Sequence, residues 1–146
     1  MGQALPDPGE PASAGEIVHE HIEAFRAKDT ARSNSFFDPH VVWDGSRTGG
    51  VDAGNAAYGI DALVDIVRRY RGSFEDYDFE VERLVDLGSG AVLAVVTETG
   101  FGRTSGVPVN RTFAVIYTVL ERKIVRMTLF PTEQAALEAV GVDESP

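Results

Sequence analysis

"DYDFEVERLVDLGSGAVLAVVTETGFGR", residues 76–103, decides the fold. Its first half alternates, with Phe79, Val81, Val85 and Leu87 on one face and Glu80, Glu82 and Asp86 on the other. That period of two predicts a half-buried strand. "GSG" is turn chemistry. "AVLAVV" is then apolar on both faces, as in a strand covered from two sides. Downstream, "TSGVPV" turns the chain into "NRTFAVIYTVL", and "ERK" makes a tight hairpin into "KIVRMTLF". This is an antiparallel meander.

Upstream, the pattern is helical. In "GEIVHEHIEAFRAKD", Val18, His21, Ile22 and Phe25 fall at i, i+3, i+4 and i+7, the stripe of an amphipathic helix. A short second helix is expected over about residues 30–37, followed by the strand "HVVWD". Residues 45–59, "GSRTGGVDAGNAAYG", hold no period and read as a long loop, usually a lid or binding loop. "IDALVDIVRRY" gives the clearest helix, with Asp61 as N-cap and Leu63, Ile66, Val67 and Tyr70 as its buried stripe. A last helix, "EQAALEAV", stops at Gly141. Early helices and a late meander mean α+β rather than parallel α/β. The expected architecture is a cone-shaped α+β barrel: a curved antiparallel sheet with helices packed in its concave face. Residues 1–14 and 142–146 are expected to be tails, and 15–141 a single domain.

Composition narrows the function. The chain has 146 residues, 43% of them apolar, enough for one core. Thirteen Lys and Arg against 23 Asp and Glu give a net charge of −10, which argues against nucleic acid and anionic membrane surfaces as partners. The absence of cysteine excludes disulfides, thiolate metal sites and thiol nucleophiles. No leader pattern or membrane-length apolar run is visible, so a cytoplasmic location is expected. There is no phosphate-binding loop, no G-x-S-x-G elbow and no metal-ligand spacing among the three histidines, so no cofactor or metal is expected.

The residues that could carry chemistry are few. His21 interrupts an apolar stripe, so it is either a hydrogen-bonded core histidine or an imidazole facing a ligand. Asp44 follows "VVW". It is either turn chemistry with Gly45 or, if Val42 is on the core face, a carboxylate aimed into a cavity. Glu98 on an apolar strand is a second candidate carboxylate, or the partner of an arginine. Arg47, Arg103 and Arg111 either orient a ligand or pair with surface acids. Trp43, the lone tryptophan of the chain, joins Tyr58, Phe101 and Tyr117 as an aromatic of core, interface or pocket.

The order of "EAFRAKD", "FFDPHVVWDG", "AYGIDALVDIVRRY", "SGVPVNRTFAVIYTVLERKIVRMTLF" and "QAALEAVG" resembles the nuclear transport factor 2-like superfamily in its SnoaL-like branch, over about residues 15–141. That resemblance implies a conical fold with a deep apolar pocket and a homodimer through the outer sheet face. It also implies kinship with ketosteroid isomerase, polyketide cyclases and limonene epoxide hydrolase, beside binding proteins without chemistry. "FFDPHVVWDG" resembles the isomerase segment that ends in the general base, which puts Asp44 in that role. His21 falls where the isomerase has its oxyanion-hole tyrosine. The isomerase's second donor has no counterpart near Arg111 to Val115, and the hydrolase Asp-Arg-Asp set is not visible. The function so implied is acid/base isomerisation or aldol-type cyclisation of an apolar, polyketide-like carbonyl compound. Asp44 would be the base and His21 the donor, with Trp43, Arg47, Tyr58, Glu98, Phe101 and Tyr117 around the substrate. The alternatives are an apolar-ligand binding protein or a dimeric accessory domain.

Overall fold

The computed structural model describes residues 13–47 and 56–141. α1 (Ala14–Arg26) begins on a capping box, in which the Ser13 hydroxyl accepts from the Glu16 amide and the Glu16 carboxylate accepts from the Ser13 amide. Ser13 and Ala14 therefore belong to the fold, while residues 1–12 and 142–146 lie outside the described residues. α2 (Thr30–Ser35) follows, capped by Asp29. β1 (Phe37–Asp44), β2 (Ala56–Tyr58) and α3 (Ile60–Gly72) come next. The meander is β3 (Phe74–Gly88), β4 (Ala91–Gly102), β5 (Pro108–Leu120) and β6 (Lys123–Phe130), and α4 (Glu133–Ala139) closes the chain.

All six strands form one curved sheet in the order β2-β1-β6-β5-β4-β3. The fold is α+β as expected, but the sheet is not wholly antiparallel, nor is it a closed barrel. β1 runs parallel to β6, and β2 and β3 remain as edges. The parallel pair follows from chain order. α3 carries the chain from the β1–β2 edge to the far edge, and the meander returns strand by strand until β6 meets β1. Part of the expected loop at 45–59 is strand β2, which pairs antiparallel with β1. Residues 48–55 lie outside the described residues.

α1 and α3 pack on the concave face together with α2. The core there joins Val18, Ile22, Phe37, Val41, Trp43, Leu63, Val92, Ala94, Val115 and Ile124. A second core lies on the convex face, where Ala136 and Leu137 of α4 cover Leu93, Val95, Ala114, Ile116 and Phe130. Strands β4 and β5, apolar on both faces, are thus covered on both sides by elements of one chain.

β3 does not keep the single apolar face read from its alternation. Val81 pairs with Val96 and Arg83 with Val95, so Glu82 is an extra residue in the ladder. A bulge of this kind shifts side-chain parity by one. Phe79 and Val81 consequently pack with the concave core, and Val85 and Leu87 with the convex one.

Candidate functional site: an apolar cavity with three polar stations

Between the helices and the concave sheet lies a cavity of about 530 Å³. This is the size of a small-molecule site. Most of its wall is apolar. Ile22 and Phe25 come from α1, Leu63, Val64 and Val67 from α3, and Phe79, Val96, Phe113, Val115, Met127 and Leu129 from the sheet. The exposed lining residues Lys28, Thr30 and Arg68 place the opening between the α1–α2 junction and α3.

The first polar station is His21. It is 5% exposed, and its Nδ1 lies 3.0 Å from the Ser33 carbonyl oxygen and 3.2 Å from the Ser33 hydroxyl. A carbonyl only accepts, so Nδ1 carries the proton and Nε2 presents a bare lone pair. No described residue bonds Nε2, yet no fully buried side-chain nitrogen or oxygen lacks a partner. Nε2 therefore reaches open space, and the space His21 lines is the cavity. Burial pulls the imidazole down to about 4, only partly offset by the Ser33 hydrogen bond, so it is neutral at neutral pH.

Tyr117 stands beside it, with ring centroids 6.2 Å apart in an edge-to-face pair. Its hydroxyl makes no hydrogen bond to a described residue and by the same reasoning opens to the cavity. Burial pushes that hydroxyl's pKa well up, so it stays protonated and can donate.

The second station is Glu98, 0% exposed. Tyr70 donates to its Oε1 at 2.5 Å, Tyr77 to its Oε2 at 2.8 Å, and the Arg111 Nε to Oε1 at 3.0 Å. Arg111 also donates to the Tyr70 oxygen at 2.9 Å. Burial and then the Glu98 charge push the Tyr77 hydroxyl up, so it remains a donor. The carboxylate is held by these three donors. It braces the wall, and its Oε2 takes only the Tyr77 hydroxyl while Oε1 takes two donors. Of the two readings of Glu98, the pairing with an arginine is observed, and the residue also lines the cavity.

The third station is Arg71, near the C-terminal end of α3. Its guanidinium carbon sits 4.9 Å over the Phe25 ring and 5.1 Å over the Tyr77 ring.

Asp44 is elsewhere. Phe37 (4% exposed), Val41 (0%) and Trp43 (6%) are the residues of β1 that face inward, and Phe37 and Trp43 line the cavity. Trp43 pairs in register with Met127, also a lining residue, while Asp44 and Arg126 lie on the opposite face. Asp44 accepts from the Ser46 amide at 2.9 Å and hydroxyl at 2.6 Å, and from Arg126 at 2.7 Å. These contacts, the Ser46 hydroxyl first, hold its carboxyl below the usual carboxylate range. Asp44 is thus placed as turn chemistry with an ion pair. The expectation that it shares His21's cavity rested on taking Val42 as the inward residue, and the parity is the other way.

The remaining expectations divide. Trp43, Glu98 and Tyr117 line the cavity. Arg47 does not, lying 5.5 Å over the Phe130 ring on the convex side. Tyr58 is 72% exposed because Ala57 is the inward residue of β2, and Phe101 is 45% exposed near the β4–β5 hairpin. Neither lines the cavity. Arg103 ties the carbonyls of Gly72 and Phe74 at 2.9 and 3.0 Å. His19 and His40 are exposed. Tyr70, expected only as part of a buried stripe, joins Tyr77 and Arg71 as lining residues that the sequence does not mark as functional. The signal for Tyr77 was its place two residues before Phe79 on one strand face; Arg71 looked like an ordinary solvated charge at a helix end.

No helix among the described residues is long and apolar enough to cross a membrane, and no three of their acidic or imidazole side chains group as metal ligands.

The SnoaL-like domain family matches residues 18–127, three quarters of the chain. The chain belongs to this family. No curated protein matches it. Among solved structures, an NTF2-like protein from Burkholderia thailandensis E264 is 23% identical, with a TM-score of 0.74, over 88% of this chain and 98% of that one. TerC, co-crystallized with polyporic acid, is 17% identical with a TM-score of 0.68, over 86% and 97%. A ketosteroid isomerase-like fold from Catenulispora acidiphila, in complex with trimethylamine, is 13% identical with a TM-score of 0.65, over 90% and 98%. At these identities the likeness is one of fold. Polyketide cyclase-like proteins are also among the neighbours, so this SnoaL-like domain shares its architecture with proteins of that kind.

Proposed function

We propose that the cavity binds an apolar, polyketide-like carbonyl compound and moves a proton on it, with His21 and Tyr117 as the reacting pair. The observation that carries this reading is their adjacency at 6.2 Å, one offering a bare nitrogen and the other a free hydroxyl to the same space. Tyr117 donates a hydrogen bond to the substrate carbonyl oxygen, where negative charge develops. His21 Nε2 takes the proton from the adjacent carbon, and the C–H electron pair becomes that of the enolate. The enolate then closes onto a second carbonyl in an aldol-type cyclisation, or is reprotonated elsewhere in an isomerisation. His21 gives its proton back in either case. An imidazole held at about 4 is a weak base, so the chemistry suits a carbon between two carbonyls, whose C–H is far more acidic than that of a simple ketone. The roles differ from the resemblance-based expectation: the donor is Tyr117, His21 accepts, and Asp44 has no part.

The test is hydrogen–deuterium exchange of a panel of aryl 1,3-diones in D2O, followed by NMR against the uncatalysed rate. Wild-type protein should accelerate exchange for at least one of them. Tyr117→Phe and His21→Phe should each lower that acceleration by ~10²-fold, the scale of a lost acid/base group. If the diones bind and none exchanges faster, the domain is a binding protein for apolar ligands and the catalytic reading fails.

A further inference from the structure

From the placement of Arg71 we infer that the cavity is built for an anionic ligand: an apolar ring system bearing a delocalised oxyanion, a carboxylate or an acidic enolate, which Arg71 clamps. The inference rests on the reading of this cavity as the ligand site, and adds which class of molecule enters it.

Arg71 lines the cavity and is half-buried. Its guanidinium lies over both the Phe25 and the Tyr77 ring, and no described acid pairs with it. None of its N–H groups donates to a described residue. The neighbouring cations are different. Arg68 is bonded to Asp65 at 2.6 Å, Arg111 to Glu98, and Arg103 lies 3.6 Å from Glu75. In a chain with ten more acids than bases, an arginine at a cavity without a carboxylate partner is conspicuous. Lys28, also on the lining, likewise has no described partner. Among the described residues the only lining carboxylate is Glu98, which is paired with Arg111 and bonded by two hydroxyls, so the lining charges left without a described counter-ion, Arg71 and Lys28, are positive.

The two ring contacts restrain the guanidinium and leave its two-pronged edge available for a planar pair of oxygens. Cation–π contacts hold the group without consuming its N–H donors. Phe25 links the stations, since its ring is 6.3 Å from the ring of His21 and 4.9 Å from the Arg71 guanidinium carbon. A ligand lying along Phe25 with its oxyanion at Arg71 would present its other end to His21 and Tyr117.

The probes are 2-naphthoate and its neutral isostere 2-naphthamide, titrated by calorimetry into wild type, Arg71→Gln and Arg71→Lys at pH 7.5. Wild type should prefer naphthoate by about tenfold or more, the worth of one charge-assisted hydrogen-bonded contact. Arg71→Gln should erase that preference by lowering naphthoate affinity far more than naphthamide affinity, and Arg71→Lys should keep part of it. Equal binding of the two probes by wild type overturns the anion site and leaves the cavity reading standing. So does a preference that survives in Arg71→Gln. Loss of naphthamide binding in Arg71→Gln without recovery in Arg71→Lys makes the residue a wall brace and also overturns the site. Failure of both probes to bind wild type overturns the anion site and the cavity reading together.

Discussion

Glu98 on β4 and Arg111 directly opposite it on β5 form an ion pair that is closed on one side and open on the other: the carboxylate side chain is 1% exposed and the guanidinium 44%. The asymmetry sets the cost of removing each partner. Arg111→Met strips a buried carboxylate of its countercharge and should destabilise the fold by ~1–3 kcal/mol. Glu98→Gln leaves an arginine that water can reach and an amide that Tyr70 and Tyr77 can still bond, so it should cost less. The double variant should recover part of the Arg111→Met loss. Urea unfolding of the three proteins checks the order, and Arg111→Met as stable as wild type would refute it.

Acid should weaken the fold well above the carboxylate range. The His21 imidazole titrates near 6.5 when unfolded and about 4 when folded. Between those values the unfolded chain binds the extra proton, so stability falls as pH is lowered through that window, by up to about 1.4 kcal/mol per pH unit. The depressed carboxylates, Asp44 among them, add their loss below their ordinary values near 4. His21→Phe should flatten the upper part of the profile alone. Thermal midpoints from pH 7 to 4 for the two proteins are the measurement.

Asp44→Asn separates the two faces of β1. The amide can still accept from Ser46, but the pair with Arg126 loses its charge. A loss of ~1 kcal/mol or less is expected, because Arg126 is nearly half exposed. Naphthoate affinity should be unchanged, since the side chain lies on the face turned away from the cavity. A large drop in ligand binding with stability intact would return Asp44 to the site.

Gly45→Ala reaches the cavity through Trp43. A Cβ at position 45 would come within 2.6 and 2.7 Å of two carbons of the indole ring, so the ring must move. Trp43 is the only tryptophan, and its emission should shift while naphthamide affinity drops. Unchanged emission and affinity would mean that the backbone yields instead of the ring.

The meander, the helix stripes and the candidate imidazole could be read in the sequence because each rests on local periodicity. Val18, His21 and Ile22 keep the face predicted for them. What could not be read depends on parity or on partners far along the chain. Alternation says that Val41 and Trp43 face one way and Val42 and Asp44 the other, but not which way is inward; packing against Met127 decides that. One extra residue at Glu82 divides the apolar face of β3 between two cores, and no composition signal marks it. "AVLAVV" correctly announced burial on both faces, yet the cover for the second face is α4, from the same chain. Arg71 is informative only through what surrounds it: two rings and no described acid.

The parallel seam between β1 and β6 has a consequence for how the molecule is made. Trp43 and Met127, which meet across it, are separated by most of the chain, so the seam closes only when the last strand has been synthesised. Contacts this distant in sequence carry a large loop-closure penalty and slow the search for the native state. Until β6 arrives, β1 offers the ribosome-bound chain an unpaired apolar edge, the kind of surface on which nascent proteins associate wrongly. The cavity is therefore among the last features to appear during biosynthesis, and a product truncated before residue 123 would have neither its floor nor a protected edge.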